Sequence, residues 1–513
     1  MNFDNSFLGI EFGSTRIKAV VIDRELNVLA QGSHTWENRL VDGIWSYSAD
    51  DITGGLQACY RSLKDDIKGK YGTVPTSFTG MGISAMMHGY MAFDKDDELL
   101  VPFRTWRNTI TERAAAELTA ALGFNIPQRW TAAHLYQAVL DHEPHIGDIS
   151  KVSTLAGYIQ YRLTGEYAVG VGEGSGIFPT DGIGYHKGYA DIMNKMLSSC
   201  GFDRSVLDLF PVIRPMGYTV PLTEAGARLI DPDGDLTAGV PVCPPEGDAQ
   251  TGMVATNSVR RRTGNISAGT SIFSMLVLDK PMKELHEEID IVATPSGDPV
   301  AMVHCNNCCS ELDQWVRAAY DVARMSGADV TMSDMYRMLY KNAMTSSADG
   351  ISSYNFLSGE PVLGVVNGKP VTVRTPGTDL SVGGFIRSQI YSAFAAIRYG
   401  SDILKNEGIT ADSYTVHGGM FKVEDTTQQI LSDALDTPTS VMETAGEGGA
   451  WGMAVLSAYS DDTSADLSEW LDRRFEKMKR HTLLPDENGK ADFDRFMTSY
   501  LGDLEKLKGN IYA

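Results

Sequence analysis

Two short turns in this sequence place glycine beside paired hydroxyl side chains, a combination suited to holding phosphate oxygens. In "IEFGSTRIKAVVID", residues 10–23, the step Gly13-Ser14-Thr15 lies between two apolar runs. In "ISAGTSIFSMLVLD", residues 266–279, a Gly-Thr-Ser step takes the same place, and both stretches end in Asp. The backbone N–H groups and short hydroxyls of such turns can converge on one anion. One turn alone is typical of an ordinary hairpin, whereas two matched turns favour a duplicated domain facing a shared ligand.

Two common phosphate-binding motifs are excluded by spacing. The sequence has no G-x-x-x-x-G-K-[ST] pattern, so a P-loop is ruled out. The glycine-rich stretch "GVGEGSG", residues 170–176, does not have the G-x-G-x-x-G spacing of a dinucleotide fold.

Strands and helices are expected around the two turns. "FLGIEF", "IKAVVID" and "ELNVLAQGS" are predicted strands, and residues 78–93 are predicted as one buried strand with glycines at its end. "TERAAAELTAAL" and "SQIYSAFAAIRYGSDIL" have helical periodicity, as do two amphipathic stretches in the tail. "SYTVHGGMFKVEDTTQQILSDAL" predicts a strand, a glycine pair and a helix, an order that presents helix-terminal N–H groups to a ligand.

Length and composition indicate a globular protein of two large domains. The chain has 513 residues, and a stretch rich in Gly and Pro precedes the second turn. We therefore predict an N-terminal domain of residues 1–258 and a C-terminal domain of residues 259–513. The net charge of −22 disfavours nucleic acid and anionic lipid as partners. With no apolar stretch long enough to span a membrane and no leader-like N-terminus, a cytoplasmic location is expected.

Three of the six cysteines crowd into "HCNNCCS", as Cys305, Cys308 and Cys309 beside His304. A zinc site would require a second pair of ligands elsewhere, and the sequence shows none at a matching spacing. Free thiols are therefore the favoured interpretation.

Taken together, the ordered motifs resemble those of the FGGY carbohydrate kinases, from about residue 7 to about residue 460. Besides the two turns they are "GISAMMHGY", "TWRN", "EGDAQTG", "FLSGEP", "HGGMFK" and "GEGGAWGMAVL". The resemblance implies an α/β fold of two ribonuclease-H-like domains, within the actin-like ATPase superfamily, around an interdomain cleft. It also implies transfer of the γ-phosphoryl group of ATP to a sugar hydroxyl. Within the family, the Met-His-Gly step is most similar to that of the xylulokinases.

The resemblance also implies the catalytic carboxylates. Asp248 of "EGDAQTG" is similar to the general base that takes the proton of the attacking hydroxyl. Glu11 stands where the family usually carries Asp, and together with Asp248 it is expected to place Mg²⁺. Glutamate keeps the carboxylate and its preference for a hard cation, although its longer side chain shifts the geometry.

Sugar recognition is expected from two motifs. Met87 and His88 of "MMHGY" would line the sugar site, as would Trp106, Arg107 and Asn108 of "TWRN". The last two depart from the family pattern. Arg107 replaces a smaller polar residue, and Asn108 replaces an Asp that commonly binds sugar hydroxyls. Since Asn donates as well as accepts hydrogen bonds, the hydroxyl pattern that it recognises can differ from that of D-xylulose.

Nucleotide contacts are carried over from both turns and from the C-terminal glycines. The glycines allow the backbone to approach the purine and ribose, and Met420 stands where a third glycine is common. For Gly449 and its neighbours, close helix packing is an equal alternative. The expected nucleotide-binding residues are Gly13, Ser14, Thr15, Arg16, Gly269, Thr270, Gly418, Gly419, Lys422 and Gly449.

The sequence thus predicts an ATP- and Mg²⁺-dependent kinase for a ketopentose, with a homodimer expected from the family. Alternatives are a kinase for another substrate, such as ribulose, gluconate, a hexulose or a tetritol, and a sugar-binding regulator without turnover. An actin-like nucleotide switch is a rival of a different class, which the sugar-site motif and the lack of an appended peptide-binding domain disfavour.

Overall fold

The computed structural model describes residue 3, residues 5–443 and residues 448–512, and it divides by packing into two compact units. Unit 1 consists of Met1–Val259, Asp290–Val300 and Glu447–Lys477, and unit 2 of Arg260–Ile289, Ala301–Gly446 and Met478–Ala513. The predicted domain boundary at residue 258 is close to the first switch between the units. Two later segments, Asp290–Val300 and Glu447–Lys477, also pack with unit 1. A single boundary in the sequence therefore does not separate the two packing units.

The strands are β1 (Ser6–Phe12), β2 (Arg16–Asp23), β3 (Val28–Thr35), β4 (Arg39–Val41), β5 (Ile44–Ser46), β6 (Gly80–Ala85), β7 (Met91–Phe93), β8 (Lys151–Ser153), β9 (Ala168–Val169), β10 (Val212–Ile213), β11 (Val220–Pro221), β12 (Pro241–Val242), β13 (Glu246–Gly247), β14 (Thr263–Ala268), β15 (Ile272–Val277), β16 (Asp290–Ala293), β17 (Pro299–Cys305), β18 (Ile351–Tyr354), β19 (Val371–Arg374), β20 (Ser413–Gly418), β21 (Thr439–Met442) and β22 (Arg480–Leu483).

The α-helices are α1 (Ala49–Tyr71), α2 (Glu112–Leu122), α3 (Thr131–Leu140), α4 (Leu155–Thr164), α5 (Val171–Ser175), α6 (Lys187–Ser199), α7 (Val206–Leu209), α8 (Glu224–Ile230), α9 (Asp248–Ala255), α10 (Cys309–Met325), α11 (Met332–Met344), α12 (Val382–Asn406), α13 (Thr427–Leu435), α14 (Gly448–Asp461), α15 (Leu467–Phe475) and α16 (Glu487–Lys508). Short 3₁₀ helices span Pro144–Gly147, Pro361–Leu363 and Gly419–Lys422.

Unit 1 is built on a mixed sheet in the order β11-β12-β6-β1-β2-β3, with β13 also paired to β6. β1 is antiparallel to β2 and parallel to β6, so the first predicted turn is the tip of the β1–β2 hairpin. Apolar residues of these strands, among them Leu8, Ile10 and Ile83, are fully buried. The parallel pairing brings the carboxyl ends of β1, β6 and β13 to one edge of the sheet, where the predicted catalytic motifs begin.

Unit 2 repeats this arrangement. Its sheet contains, in this order, β17-β15-β14-β20-β21-β22. β14 is antiparallel to β15 and parallel to β20, as β1 is to β2 and β6. The duplication predicted from the two turns is therefore confirmed at the level of strand pairing.

One predicted strand was wrong in extent. Residues 78–93 form β6 and β7, separated by a loop, because the backbone takes positive φ angles of 68° at His88 and 87° at Gly89. A left-handed conformation at two successive residues cannot continue a strand. The other predicted strands and helices are present, and the tail helices α15 and α16 bury the apolar faces expected of packing elements.

Within unit 1, helix α14 packs closely on β1 and α9 through glycines. A Cβ added to Gly9 of β1 would lie 2.0 Å from the carbonyl oxygen of Ala450, and one added to Gly452 would lie 2.1 Å from that of Thr251. Only glycine permits backbones to approach this closely. The motif "GEGGAWGMAVL" thus supplies a packing helix, although its first two residues, 446 and 447, lie outside the described residues.

We predict that Gly9→Ala lowers the free energy of unfolding by about 2–3 kcal/mol, because the new methyl group must displace the α14 backbone. Gly54→Ala is the matched control, since Gly54 lies exposed in α1 with no atom near its would-be Cβ, and it should be neutral or slightly stabilising. Urea unfolding of both variants measures the difference. Equal stability of the two variants would contradict the close contact.

Candidate active site

Asp248 is the first residue of α9 and follows β13 directly. Its Oδ1 accepts hydrogen bonds from the backbone N–H groups of Met87, at 3.2 Å, and Ala249, at 3.0 Å. Burial raises the pKa of Asp248 to about 6, although these N–H groups stabilise the charged form. A carboxylate that is oriented and poised near neutrality has the properties of a general base.

Glu11, near the end of β1, is the second predicted carboxylate of this site. It lies opposite Lys18 of β2, and its carboxylate accepts backbone hydrogen bonds from Gly449 and Ala450 in the first turn of α14. Burial, and then the neighbouring charge of Asp248, raise the pKa of Glu11 to about 7, against the lowering effect of Lys18. The structure therefore brings Glu11 and Asp248 into electrostatic contact.

Gly449 supports Glu11. A Cβ on Gly449 would lie 2.5 Å from Oε1 of Glu11 and 2.7 Å from the hydroxyl of Thr251. Thr251 is in turn 3.0 Å from the hydroxyl of Ser84 at the end of β6. Of the two interpretations of Gly449, these contacts favour close packing over nucleotide contact.

Met87 and His88 lie in the loop after β6, both nearly fully buried. The His88 ring stacks on Trp130, and its Nδ1 is 3.1 Å from the carbonyl oxygen of Gly176. A carbonyl accepts only, so in the neutral ring the proton is on Nδ1 and Nε2 is an acceptor. The contact with Gly176 orients the His88 ring. His88 directly follows Met87, whose backbone N–H donates to Asp248.

The "TWRN" residues have diverse surroundings. The indole N–H of Trp106 donates to the Ser14 hydroxyl at 3.2 Å, which ties the motif to the first turn. The exposed Arg107 stacks on the ring of Trp45 at 4.0 Å.

Asn108 of the same motif is buried and bound to backbone groups. Its side chain is almost fully buried, and its Oδ1 accepts from the backbone N–H of Trp45 at 2.8 Å. Its Nδ2 donates to the carbonyl groups of Trp45 and Thr105, both at 2.9 Å, which uses both amide hydrogens. These hydrogen bonds tie β5 to the loop that carries the motif, and the sugar contact of Asn108 stays a prediction.

The first turn is a tight hairpin loop in unit 1. The N–H of Gly13 donates to the carbonyl of Arg16 at 3.1 Å, and the Gly13 carbonyl accepts from the indole of Trp36 at 2.7 Å. Thr15 and Arg16 are exposed. Hydrogen bonds thus hold the backbone of the turn, the Ser14 hydroxyl is bound to Trp106, and the side chains of Thr15 and Arg16 are accessible to solvent.

Sequence reasoning missed two buried acids beside Asp248. Glu246 accepts backbone hydrogen bonds from Gly172 and Glu173 at the start of α5, and burial raises its pKa to about 8. Glu173 is fully buried, and burial, then the charges of Glu246 and Asp248, raise its pKa well above the ordinary value. The signal was the glycine-rich stretch of residues 170–176, whose glycines let α5 approach these acids and His88 without side chains in the way.

Unit 2 contains a cavity of 1120 Å³ beside the second turn. Gly269 and Thr270 line it, as do Gly419 and Lys422 of the glycine-pair motif. Gly418 adjoins it with φ of 123°, and a Cβ there would lie 1.9 Å from the carbonyl of Ala268, so only glycine fits. Helix α11 contributes a wall that the sequence did not reveal, made of Tyr336, Arg337, Tyr340, Lys341 and Met344.

None of the six cysteines forms a disulfide bond. Two clusters of metal-ligand type occur among the described residues, apart from Glu11 and Asp248. In one, Asp231, Asp233 and Asp235 surround the Lys64 ammonium group at 2.7–2.9 Å, so that a lysine already provides the cation. The other consists of Glu284, His286 and Glu407.

Comparisons with known proteins agree with this architecture. Residues 6–254 match the N-terminal domain of the FGGY family of carbohydrate kinases, and residues 264–460 match its C-terminal domain. The chain is 22% identical over 470 residues to xylulose kinase of Haemophilus influenzae, covering 86% of this chain and 89% of that protein. Structures of a xylulose kinase and a gluconate kinase from Lactobacillus acidophilus superpose with TM-scores of 0.78 and 0.77, at 15% and 16% identity, each covering 99% of both chains.

The chain therefore belongs to the FGGY family of carbohydrate kinases. It has the two-domain α/β fold of the actin-like ATPase and ribonuclease-H-like type, and it is an ATP-dependent sugar kinase. Across the described residues, no helix combines the length and apolar character that crossing a bilayer requires.

We predict that Glu246 makes the protein less stable as the pH rises. Its folded-state pKa of about 8 is above the ordinary value of 4.5, so the folded form binds the proton more tightly, and stability is lost between those two pH values. At about 1.4 kcal/mol per pKa unit, the effect amounts to a few kcal/mol. Glu246→Gln should therefore lose less thermal stability than wild type between pH 5 and pH 8.5. Glu37→Gln, at an exposed site, is the control. Identical pH dependence of wild type and Glu246→Gln would show that Glu246 is ionised without penalty.

Proposed function

We propose that this kinase phosphorylates a ketopentose of the xylulose type, with Asp248 as the general base. The observation that carries the proposal is the hydrogen bond from the Met87 N–H to Asp248, because it places the base beside the Met-His step expected to bind the sugar. The similarity to xylulose kinases over most of both chains supports the choice of sugar.

Asp248 would accept the proton of the attacking hydroxyl as the new bond to phosphorus forms. Its raised pKa matters for this step, because a stronger base accepts the proton more readily while staying ionised near neutral pH. The two N–H groups on Oδ1 hold the carboxylate in one orientation, which leaves Oδ2 to face the substrate.

Magnesium fits the donor chemistry of this site. Glu11 and Asp248 are hard oxygen donors, and each raises the free energy of charging the other, a penalty that a divalent cation would remove. We propose that these two carboxylates hold the ion directly or through water. When bound, Mg²⁺ would neutralise charge on the phosphate oxygens.

The cavity in unit 2 is proposed to bind ATP. The turn at Gly269 and Thr270, together with the Lys422 ammonium group, is suited to phosphate oxygens, and the cavity volume is ample for a nucleotide. Tyr336 and Tyr340 offer aromatic surface to a purine. The Ser14-Thr15-Arg16 turn of unit 1, in which Thr15 and Arg16 are exposed, is proposed as a separate phosphate-binding turn.

The residues of the sugar site carry the specificity. His88 is proposed to contact a sugar hydroxyl, and Asn108 is proposed to hold the loop of the sugar-site motif in place. A kinase for gluconate is the second candidate, since a gluconate kinase has nearly the same fold similarity as a xylulose kinase. The expectations of a homodimer and a cytoplasmic location stay predictions.

A coupled ADP-release assay with MgATP should show one strong responder, D-xylulose, in a panel that also contains L-xylulose, D-ribulose, L-ribulose, D-fructose, D-gluconate, glycerol and erythritol. A blank without sugar is the control. Strong turnover with gluconate alone would replace the proposed substrate. Hydrolysis that no sugar changes would favour a nucleotide switch, and no turnover in any sample would favour a sugar-binding regulator.

A further inference from the structure

Three sulfur atoms meet in the wall of the unit 2 cavity. The Sγ atoms of the adjacent Cys308 and Cys309 are 3.6 Å apart, and the Cys308 Sγ is also 3.6 Å from the Sδ of Met420. Cys309 and Met420 both line the cavity, so the cluster is reached from it.

The cluster consists of side chains that have no role in the proposed kinase reaction. Cys308 and Cys309 belong to the "HCNNCCS" stretch, which lacked further ligands in the sequence. Met420 lies 112 residues further along the chain than Cys308, and its thioether supplies the third sulfur. Cys308 and Cys309 also donate their backbone N–H groups to the carbonyls of Thr270 and Gly269, which links the cluster to the second turn.

The donor set selects the class of ligand. Two thiols and one thioether are soft donors, which prefer Cu(I) and similar ions, whereas Mg²⁺ and Ca²⁺ require oxygen. Zinc normally takes four ligands, and only three sulfurs are found here among the described residues. In trigonal coordination with metal–sulfur bonds of about 2.3 Å the sulfurs lie about 4 Å apart. The Cys308 Sγ is already close to that separation from each of the other two sulfurs, at 3.6 Å.

A disulfide between the two cysteines is less suitable. Disulfides usually join residues whose Cα atoms are about 4.4–6.8 Å apart, whereas Cα atoms of adjacent residues are about 3.8 Å apart. A bridge through one metal atom spans the present sulfur separation without that strain.

We propose that Cys308, Cys309 and Met420 form a binding site for a soft monovalent metal ion, such as Cu(I), whose occupation excludes nucleotide from the cavity. The metal site stands on the sulfur geometry alone. The exclusion of nucleotide rests on the proposed function of the cavity.

The hydrogen bond to Cys309, together with burial, raises the pKa of the Cys308 thiol well above its ordinary value. Cys309 lines the cavity and Cys308 does not, so Cys309 is the first thiol to meet an incoming ion, and Cys308 and Met420 complete the site. Binding exchanges thiol protons for the metal, which stays in the same oxidation state, so that no oxidant is needed.

Ag(I), which resists redox chemistry, is the probe in chloride-free buffer, and binding is followed by calorimetry and native mass spectrometry. All measurements use a Cys200→Ser variant as the parent protein. Cys200 is the most exposed of the six thiols and would bind silver on its own. The parent should bind one tight equivalent. Cys308→Ser should weaken binding about tenfold or more, and Met420→Leu, which conserves volume, should weaken it less. Unchanged affinity in Cys308→Ser would overturn the site.

Saturating MgADP should weaken silver binding to the folded parent protein, which keeps the test decisive even if Cys308→Ser does not fold. If ADP binds and silver affinity is unchanged, the exclusion claim is overturned. If ADP itself does not bind while silver does, the proposed nucleotide role of the cavity fails and the metal site stands.

Discussion

The chemistry of unit 1 depends on one constraint, the removal of several carboxyl groups from water within a small volume. Glu11, Glu173, Glu246 and Asp248 all have raised pKa values, and burial is the largest cause for each. Backbone N–H groups at the starts of α5, α9 and α14 compensate for part of this penalty. Lys18 is the one basic side chain that lowers the pKa of Glu11, and otherwise helix ends stabilise the charged forms of these acids, which leaves the carboxylates basic and able to accept a proton or a cation.

Glycine makes this arrangement sterically possible. The glycines before Asp248, along residues 170–176 and in α14 allow backbones to approach the acids directly, where any Cβ would collide. The same residue type has another task in unit 2, where Gly418 adopts a conformation that other residues rarely take. The glycine content of this chain thus reflects two separate needs, close packing around acids and a sharp backbone turn beside the cavity.

How much could be predicted from the sequence differs with the range of the interaction. The turns at Gly13 and Gly269 were predictable because hairpins and their strands are local. Asp248 and His88 could be proposed because their motifs are specific in order and spacing. The two hydrogen bonds between the Asn108 side chain and the Trp45 backbone could not be predicted, since Trp45 is far away in the chain.

Buried acids were the hardest feature to predict. Neither Glu173 nor Glu246 has a residue type and spacing that predict a buried acid, although Glu246 lies in the "EGDAQTG" motif. The glycines near Glu173 do not have dinucleotide-binding spacing. The sulfur contact of Met420 with Cys308 is equally invisible, because it joins two distant stretches. In each case the missing information was which chain segments pack together, not which residues were present.

The central claim is that the buried carboxylate of Asp248 acts as the base in phosphoryl transfer. Single-turnover kinetics of Asp248→Asn with MgATP and the responding sugar test it most directly, with calorimetric binding of ADP and sugar measured on the same preparation. We expect phosphoryl transfer in Asp248→Asn to be about 10²–10⁴-fold slower than in the wild type, while ADP and sugar still bind. Transfer at a near-normal rate with intact binding would contradict it, because the amide cannot take the proton.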